Sequence, residues 1–334
     1  MAKTVTTITP LRISFAGGGT DFSDFYLNYG GAVLSSSINK YIYVTVKTHS
    51  PLFNEKYRLN YSETELVNSI DEIKNEIARE CLKLVKVEAP LYISTTSDIP
   101  TGTGLGSSSS FATGLLNCLH HMRNEIVSPA QLAEEACQVE LGMLSKPIGK
   151  QDQYSAAFGG MNFIEFQKSG RVLIDHIWSE NLDIKELFSS FLLLWTGTQR
   201  KADSILKSQK KAIPEIKDSL GKMKEMAIEL RDCISNNKLN SSVLAKYLHN
   251  GWMHKRTLSP GITNFRIDQA YKVALENGAL GGKLLGAGGG GFLLLVVPKE
   301  KKGIIEKKLP DFFPLSVKHE PLGSRLLSIV SLDD

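Results

Sequence analysis

Between residues 98 and 116 the chain reads DIPTGTGLGSSSSFATGLL, three alternate glycines running into four serines and then into an apolar stretch. Few arrangements restrict local structure more. Glycine admits left-handed backbone that turns successive N–H groups towards one point. A helix beginning near Ser107 would add its unpaired first-turn N–H groups and the positive end of its dipole. A phosphate suits such a place. The serine hydroxyls can cap the helix, bind phosphate oxygens or ligate a hard divalent cation. A solvent-exposed turn with a generous N-cap is the plainer alternative for this stretch taken alone. It is not a Walker loop, because no GK[ST] follows the glycines.

The remainder of the chain bounds what could be built around that loop. At 334 residues two medium domains are expected. Hydrophobic residues at 42% and charged residues at 22% are enough for a sizeable core and argue against disorder. A formal charge of +4 without a dense Lys/Arg block makes nucleic acid a poor partner and leaves a small anionic ligand open. Cys81, Cys118, Cys137 and Cys233 are scattered with no CxxC pair, which fits a reduced cytoplasmic setting. The opening MAKTVTTITPLRIS lacks the apolar core of a signal peptide. The longest apolar runs, FLLLW and GFLLLVV, are too short to span a bilayer and read as buried strands. No membrane association is expected. Adjacent His120 and His121 point to different helix faces and no HExxH occurs, so no histidine metal site is expected.

Residues 4–15, 32–48 and 91–95 are rich in Val, Ile, Thr and Tyr and read as strands. Residues 66–87, 106–123 and 128–144 carry helical spacing, the last opened by Ser128-Pro129 as N-cap and first-turn residue. After two further strands at 161–166 and 172–177 the composition shifts. Residues 201–255 read as charged helices with solvated faces, and short strands return at 292–297, 315–319 and 326–331. A cut near Gly170 follows, giving domains of 1–170 and 171–334.

Three other stretches carry chemistry. GAGGGG at 286–291 satisfies GxGxxG, but a strand and not a helix follows it, so a turn or a close backbone approach accounts for it better than a dinucleotide fingerprint. PLRISFAGGGTDF at 10–22 joins a strand bearing Arg12 to a glycine turn and Asp21, where polar function is commonly displayed. PIGKQDQYSAAFGG at 147–160 packs Lys150, Gln151, Asp152 and Gln153 at a helix start, and read alone it is an exposed first turn.

In this order the four stretches resemble the GHMP family of small-molecule kinases. PLRISFAGGGTD is similar to its first motif, PTGTGLGSSSS to its second and most specific, and KLLGAGGGGF to its third, while GKQDQ resembles the segment bearing the catalytic aspartate of its galactokinase and mevalonate kinase branches. The resemblance spans residues 10–297. Within the family, PLRISFAGGGTDF and GKQDQYSAAFGG are most similar to the D-glycero-D-manno-heptose 7-phosphate kinase branch, whose activity serves activated heptose for surface polysaccharide. GGGTD stands where the galactokinase form has a GEHTD-like sequence, which counts against free galactose.

The resemblance implies an α/β (α+β) fold, with an N-terminal ribosomal-protein-S5-like domain, a C-terminal ferredoxin-like domain and the site in the cleft between them. It implies ATP and Mg2+, a sugar phosphate acceptor, and leaves a homodimer open. Gly102, Gly104, Leu105, Gly106, Ser107, Ser108 and Ser109 would lie against ATP, with Ser108 and Glu140, twelve residues before Asp152, as magnesium ligands. Asp152 and Arg12 would be catalytic. A solvated carboxylate is the alternative for Glu140, since Glu134 and Glu135 mark an exposed acidic face. Gly18, Gly19, Thr20, Asp21, Lys150, Gln151, Gly288 and Gly289 would face the substrate. In WTGTQRKADSIL at 195–206, Arg200 and Lys201 either hold the acceptor's own phosphate or are solvated first-turn cations. A free-sugar 1-kinase, a catalytically silent sugar or ATP sensor, and a nucleotide-cofactor oxidoreductase are the competing readings.

Overall fold

The β-branched runs of the N-terminal half form two long strands, β1 (Ala2–Ala16) and β2 (Gly31–Thr48), paired antiparallel. The computed structural model describes residues 2–50, 52–177, 182–198 and 202–332. The register of the β1–β2 ladder shifts between Pro10 and Leu11, so the proline's missing N–H falls at a bulge. Beyond it, strand alternation sends Leu11, Ile13 and Phe15 into the core and leaves Arg12 and Ser14 on the face that lines a cleft. Three shorter strands follow, β3 (Tyr57–Asn60), β4 (Thr64–Val67) and β5 (Leu91–Ser97), and then β6 (Met161–Phe166) and β7 (Val172–His176). Residues 42–48 of β2 pair with β5 and residues 31–36 with β6, so one bent strand serves two ladders.

A second sheet is built from β8 (Phe191–Trp195), β9 (Gly281–Leu284), β10 (Phe292–Val296) and β11 (Phe313–Leu315), in the order β11-β8-β10-β9. The last strand, β12 (Arg325–Leu332), returns to the first sheet and pairs antiparallel with β1, Ala2 opposite Leu332. The cut expected near Gly170 therefore does not separate the two sheets. It falls in the turn between β6 and β7, which form one hairpin, and β12 belongs with β1 across almost the whole chain. Local composition carries no signal of so distant a pairing.

The helices are α1 (Ser23–Tyr29), α2 (Glu76–Val85), α3 (Ser107–Met122), α4 (Pro129–Cys137), α5 (Gln151–Phe158), α6 (Ile184–Ser189), α7 (Ala202–Ser235), α8 (Ser241–Lys255), α9 (Phe265–Glu276) and α10 (Lys299–Lys308). Ser128 caps α4 by accepting from the Gln131 N–H, with Pro129 in the first turn, as its sequence predicts. The expected helix over 66–87 is shorter: β4 and a 3-10 turn occupy its first part, because Ser69 and Glu72 form a capping box that starts and ends a separate turn. Among the described residues no helix is long and apolar enough to cross a membrane.

The apolar runs read as buried strands are buried on both faces. In β8, Phe191 and Leu193 join the large core shared with the first sheet, whereas Leu192 and Leu194 pack with Trp252, Ile262 and Tyr271 beneath α8 and α9. In β10, Leu294 and Val296 face one core, Leu293 and Leu295 the other. A strand covered on both sides loses the polar alternation of a half-exposed one, hence FLLLW and FLLLV. The two sheets thus share one core, and the cleft is lined from both, by Arg12 and Ser14 of β1 and Lys283 of β9.

The far end of α3 carries a charge cluster around a buried histidine. His120 Nδ1 lies 2.7 Å from Glu125 and Nε2 2.7 Å from Glu135, and these bonds, Glu135 first, raise the imidazole above its ordinary value despite burial. A raised histidine stabilises the fold fully below its unfolded value near 6.5, and the gain fades as pH rises through the folded value. Replacement His120→Gln should lower unfolding stability by about 1–3 kcal/mol at pH 6 and by less at pH 9, as read from urea titrations. Equal losses at both pH values would show that the imidazole is held as a neutral group.

Candidate active site

Gly102, Gly104 and Gly106 all adopt left-handed backbone, with φ of 73°, 84° and 80°. The alternation curls residues 102–106 around the start of α3, whose N-cap is Gly106 and which no side chain caps. Of the alternatives open for the serine hydroxyls, capping this helix is not the one found: a left-handed N-cap glycine leaves the first-turn N–H groups free for a ligand. The serines divide their tasks. Ser110 Oγ donates to the Pro10 carbonyl (2.8 Å) and ties the helix to β1, while Ser107, Ser108 and Ser109 line a cleft of about 600 Å³.

Arg12 stands across that loop. Its Nε and Nη2 donate to the two carboxylate oxygens of Asp152 at 2.8 and 2.7 Å, and Nη1 donates to the Gly104 carbonyl at 2.8 Å. The Arg12 backbone N–H also donates to the Leu105 carbonyl (3.0 Å). Arg12 is 4% exposed, whereas the Asp152 side chain keeps 24% of its surface open, facing the cleft from the first turn of α5. A bidentate pair of this kind fixes the carboxylate plane and leaves lone pairs for a substrate proton.

Glu140 is fully buried and lies in a π-helical turn, Gln138–Met143, that continues α4. It accepts hydrogen bonds from Ser108 Oγ, from Ser109 Oγ (2.6 Å) and from Gln153 Nε2 (2.7 Å); burial raises its acid strength threshold and these donors oppose the rise. The solvated reading of Glu140 fails. Its position was legible: Leu132, Ala133, Ala136 and Cys137 are the buried face of α4, and Glu140 follows Ala136 by four residues on that face, opposite Glu134. As a magnesium site the pair fits in donor chemistry. The Ser108 hydroxyl and the Glu140 carboxylate are adjoining hard oxygens, and magnesium is commonly held by one or two such groups plus phosphates and water. Ser108 faces the cleft and Glu140 lies directly behind it.

Asp21 is 2% exposed, accepts from the N–H groups of Gly19 (2.9 Å) and Gln151 (3.1 Å), and is raised chiefly by burial. It pins the turn at residues 17–21 to the start of α5 and so positions the segment bearing Asp152. Gly18, Gly19 and Gln151 line the cleft with it.

Five of the expected contacts are not on the cleft wall. Leu105 is a core residue that offers only its carbonyl. The Thr20 hydroxyl is committed to the carbonyls of Gly17 and Ala32. Lys150 turns away to Glu134 (3.5 Å) and lines a separate groove, because α5 places it on the opposite side from Asp152. Gly288 and Gly289 pack on Ile262, and it is Gly286 and Ala287 that reach the cleft. Arg200 and Lys201 lie outside the described residues.

Three lysines that sequence reasoning passed over, Lys146, Lys255 and Lys283, also line the cleft. Lys255 had a signal: Leu244, Leu248, Trp252 and Lys255 recur on the buried face of α8, so the last of them is a cation in an apolar stripe. Lys283 lies inside the third glycine motif, where the glycines drew attention from it.

The sequence models of the GHMP kinase N-terminal and C-terminal domains match residues 73–160 and 237–315. A D-glycero-alpha-D-manno-heptose 7-phosphate kinase of Campylobacter jejuni is 32% identical over 297 residues, covering 86% of this chain and 87% of that one. The chain belongs to the GHMP kinases. It is an ATP-dependent phosphotransferase of the sugar-kinase type. A galactokinase of Pyrococcus furiosus is 26% identical over 330 residues, covering 90% and 91% of the two chains. Among solved structures, a D-glycero-D-manno-heptose 1-phosphate kinase from Bacteroides thetaiotaomicron superposes with a TM-score of 0.77 at 25% identity, over 99% of this chain and all of that one.

In this GHMP kinase the loop at 102–106 and the third motif touch. A Cβ on Gly286 would stand 2.4 Å from the Gly104 Cα, and one on Gly104 would stand 2.9 Å from the Leu285 carbonyl oxygen. Both contacts are with backbone, so neither can be relieved by a side-chain turn. Gly286→Ala should displace the phosphate loop and weaken binding of magnesium ATP by about tenfold or more, whereas Gly221→Ala in α7, with open space around its Cβ, should leave it unchanged. Calorimetric titration of the two variants checks the difference.

Proposed function

We propose that this kinase transfers the γ-phosphoryl group of ATP to the anomeric C1 hydroxyl of D-glycero-D-manno-heptose 7-phosphate, giving the 1,7-bisphosphate. The observation that carries the reading is the Arg12–Asp152 pair, which stands where the phosphate loop meets a polar acceptor end. That end is suited to a polyol: Ser14 Oγ and Gln151 Oε1 are buried at the cleft wall without partners among the described atoms, on either side of Gly18. The heptose phosphate kinases of Campylobacter and Bacteroides support a heptose phosphate as the class of acceptor.

In the proposed mechanism Asp152 takes the proton of the acceptor hydroxyl while that oxygen forms its bond to the γ-phosphorus. The bond from phosphorus to the β–γ bridging oxygen breaks, and ADP leaves with the electron pair. Arg12 holds Asp152 in plane and offers positive charge beside the moving group. The free N–H groups of α3 and the loop at 102–106 hold the donor phosphates. Ser108 and Glu140 would hold magnesium, which neutralises phosphate charge when bound. Asp21 and Gln151 keep α5 in register and face the sugar. Arg200 and Lys201 are proposed to hold the acceptor's own phosphate. With Arg12, Glu140 and Asp152 all in place, a silent sensor is disfavoured.

Asp152→Asn should keep nucleotide affinity and lose about 10²- to 10⁴-fold in kcat, measured by ADP release. A near-normal kcat would return Asp152 to the role of a first-turn residue. Heptose 7-phosphate should exceed unphosphorylated heptose by about 10²-fold or more in kcat/KM, with NMR placing the new phosphate on C1, because an unpaired cation site loses several kcal/mol with the anion. Arg200→Ala should raise KM for the phosphorylated sugar alone. Equal turnover of both sugars would favour a free-sugar 1-kinase instead.

A further inference from the structure

Among the described residues, two ammonium groups in the cleft have no anionic partner. Lys283 in β9 donates to the carbonyls of Ser14 (3.0 Å) and Phe15 (3.2 Å), and Lys255 at the end of α8 donates to those of Leu284 (3.1 Å) and Gly286. They are 5% and 9% exposed, and among the described residues neither lies within ion-pair distance of a carboxylate. The third cation facing them, Arg12 on β1, spends its charge on Asp152. Two buried lysines thus stand beside a cation whose carboxylate is already taken, an arrangement that costs free energy until an anion arrives.

Position identifies which anion that is. Lys255 bonds to Gly286, whose backbone lies against Gly104, and Arg12 Nη1 bonds to the Gly104 carbonyl. Lys255 therefore adjoins the loop at 102–106, and Lys283, bonded to the Ser14 carbonyl two residues along β1 from Arg12, stands beside the Arg12–Asp152 pair. Ser14 also borders the acceptor end around Gly18 and Gln151, so it is Lys255, bonded to the third motif, that ties the two lysines to the donor side. We propose that Lys255 and Lys283 hold the γ-phosphoryl group of the nucleotide from the side of the cleft opposite the start of α3, and keep hold of it during transfer. The loop and helix then bind the phosphates through neutral backbone donors on one side, and two point charges meet the transferred group on the other. This inference rests on ATP as donor and not on the identity of the sugar.

The empty site has a protonation consequence. Burial, then repulsion from Arg12, lowers Lys283 to about 7, and burial, then Lys283 and Arg12, holds Lys255 well below its ordinary value. A phosphate dianion beside them favours the charged form of both, so with Lys283 near 7 the nucleotide should bind with proton uptake at pH 8. The charged groups around the pair are Arg12 on β1, Asp152 on α5 behind it and Asp21 in the turn after β1.

The test needs no acceptor. Magnesium complexes of ADP and of the β,γ-imido analogue of ATP are titrated calorimetrically at pH 8 in buffers of different ionisation heat. The unmodified protein should take up at least about half a proton with the analogue and far less with ADP. Lys283→Met and Lys255→Met, checked by thermal unfolding, should each lose about tenfold or more in affinity for the analogue while holding ADP within about twofold. Equal proton uptake with both nucleotides overturns the proposal without any variant. So does a Lys283→Met protein with an unchanged preference for the analogue and a defect confined to KM for the phosphorylated sugar, which would assign the pair to the acceptor's phosphate. Failure of the heptose assignment alone would leave all of these titrations as they are.

Discussion

Everything at this site hangs on one side chain held in three directions. Arg12 grips Asp152 with two donors and the loop at 102–106 with a third, and its own backbone N–H holds the loop again through Leu105. β1, α5 and the segment before α3 are thereby fixed relative to one another at the wall of the cleft. Each end of this clamp is backed by packing: Leu11 and Ile13 anchor β1 on either side of Arg12, Ser110 bonds α3 to Pro10, and Asp21 bonds the start of α5. An arginine with a single partner would leave the carboxylate free to rotate. Here its plane is set before any ligand arrives, the condition under which positioned charge is most effective.

What the linear sequence disclosed and what it hid divide along physical lines. Among the groups that line the cleft, those in a local pattern were legible from sequence, the alternate glycines and the serines that follow them; Arg12 and Asp152, bland when read alone, were singled out by the resemblance to the family's motifs. Glu140 and Lys255 were half legible, since each falls on the apolar face of its own helix, where a charged residue needs a reason. Thr20, Lys150, Gly288 and Gly289 misled because adjacency in sequence says nothing about which way a turn or helix directs its next residue. The domain cut at 170 misled for a related cause. It was drawn from composition, and composition does not report that β12 pairs with β1.

The shared core has its own effect on the site. Because β8 and β10 are covered on both faces, the loops that leave them at Trp195 and enter them from Gly291 emerge from rigid strands. The third motif is then held against the phosphate loop by backbone contact between Gly286 and Gly104, and Lys255 and Lys283 enter the cleft from elements packed into the same core. Catalytic geometry in this chain is a matter of strand burial as much as of loop chemistry.

The pairing of β12 with β1 also sets an order of events during synthesis. Residues 2–8 of β1 cannot complete this ladder until residues 325–332, far along the chain, have been made. Until then the seven residues Ala2–Ile8 present an open strand edge, while the opposite edge of β1 can already pair with β2. Long-range ladders of this kind fold slowly and expose edges that invite pairing with other chains. The closing of one ladder thus decides when this chain stops offering an open edge to its neighbours.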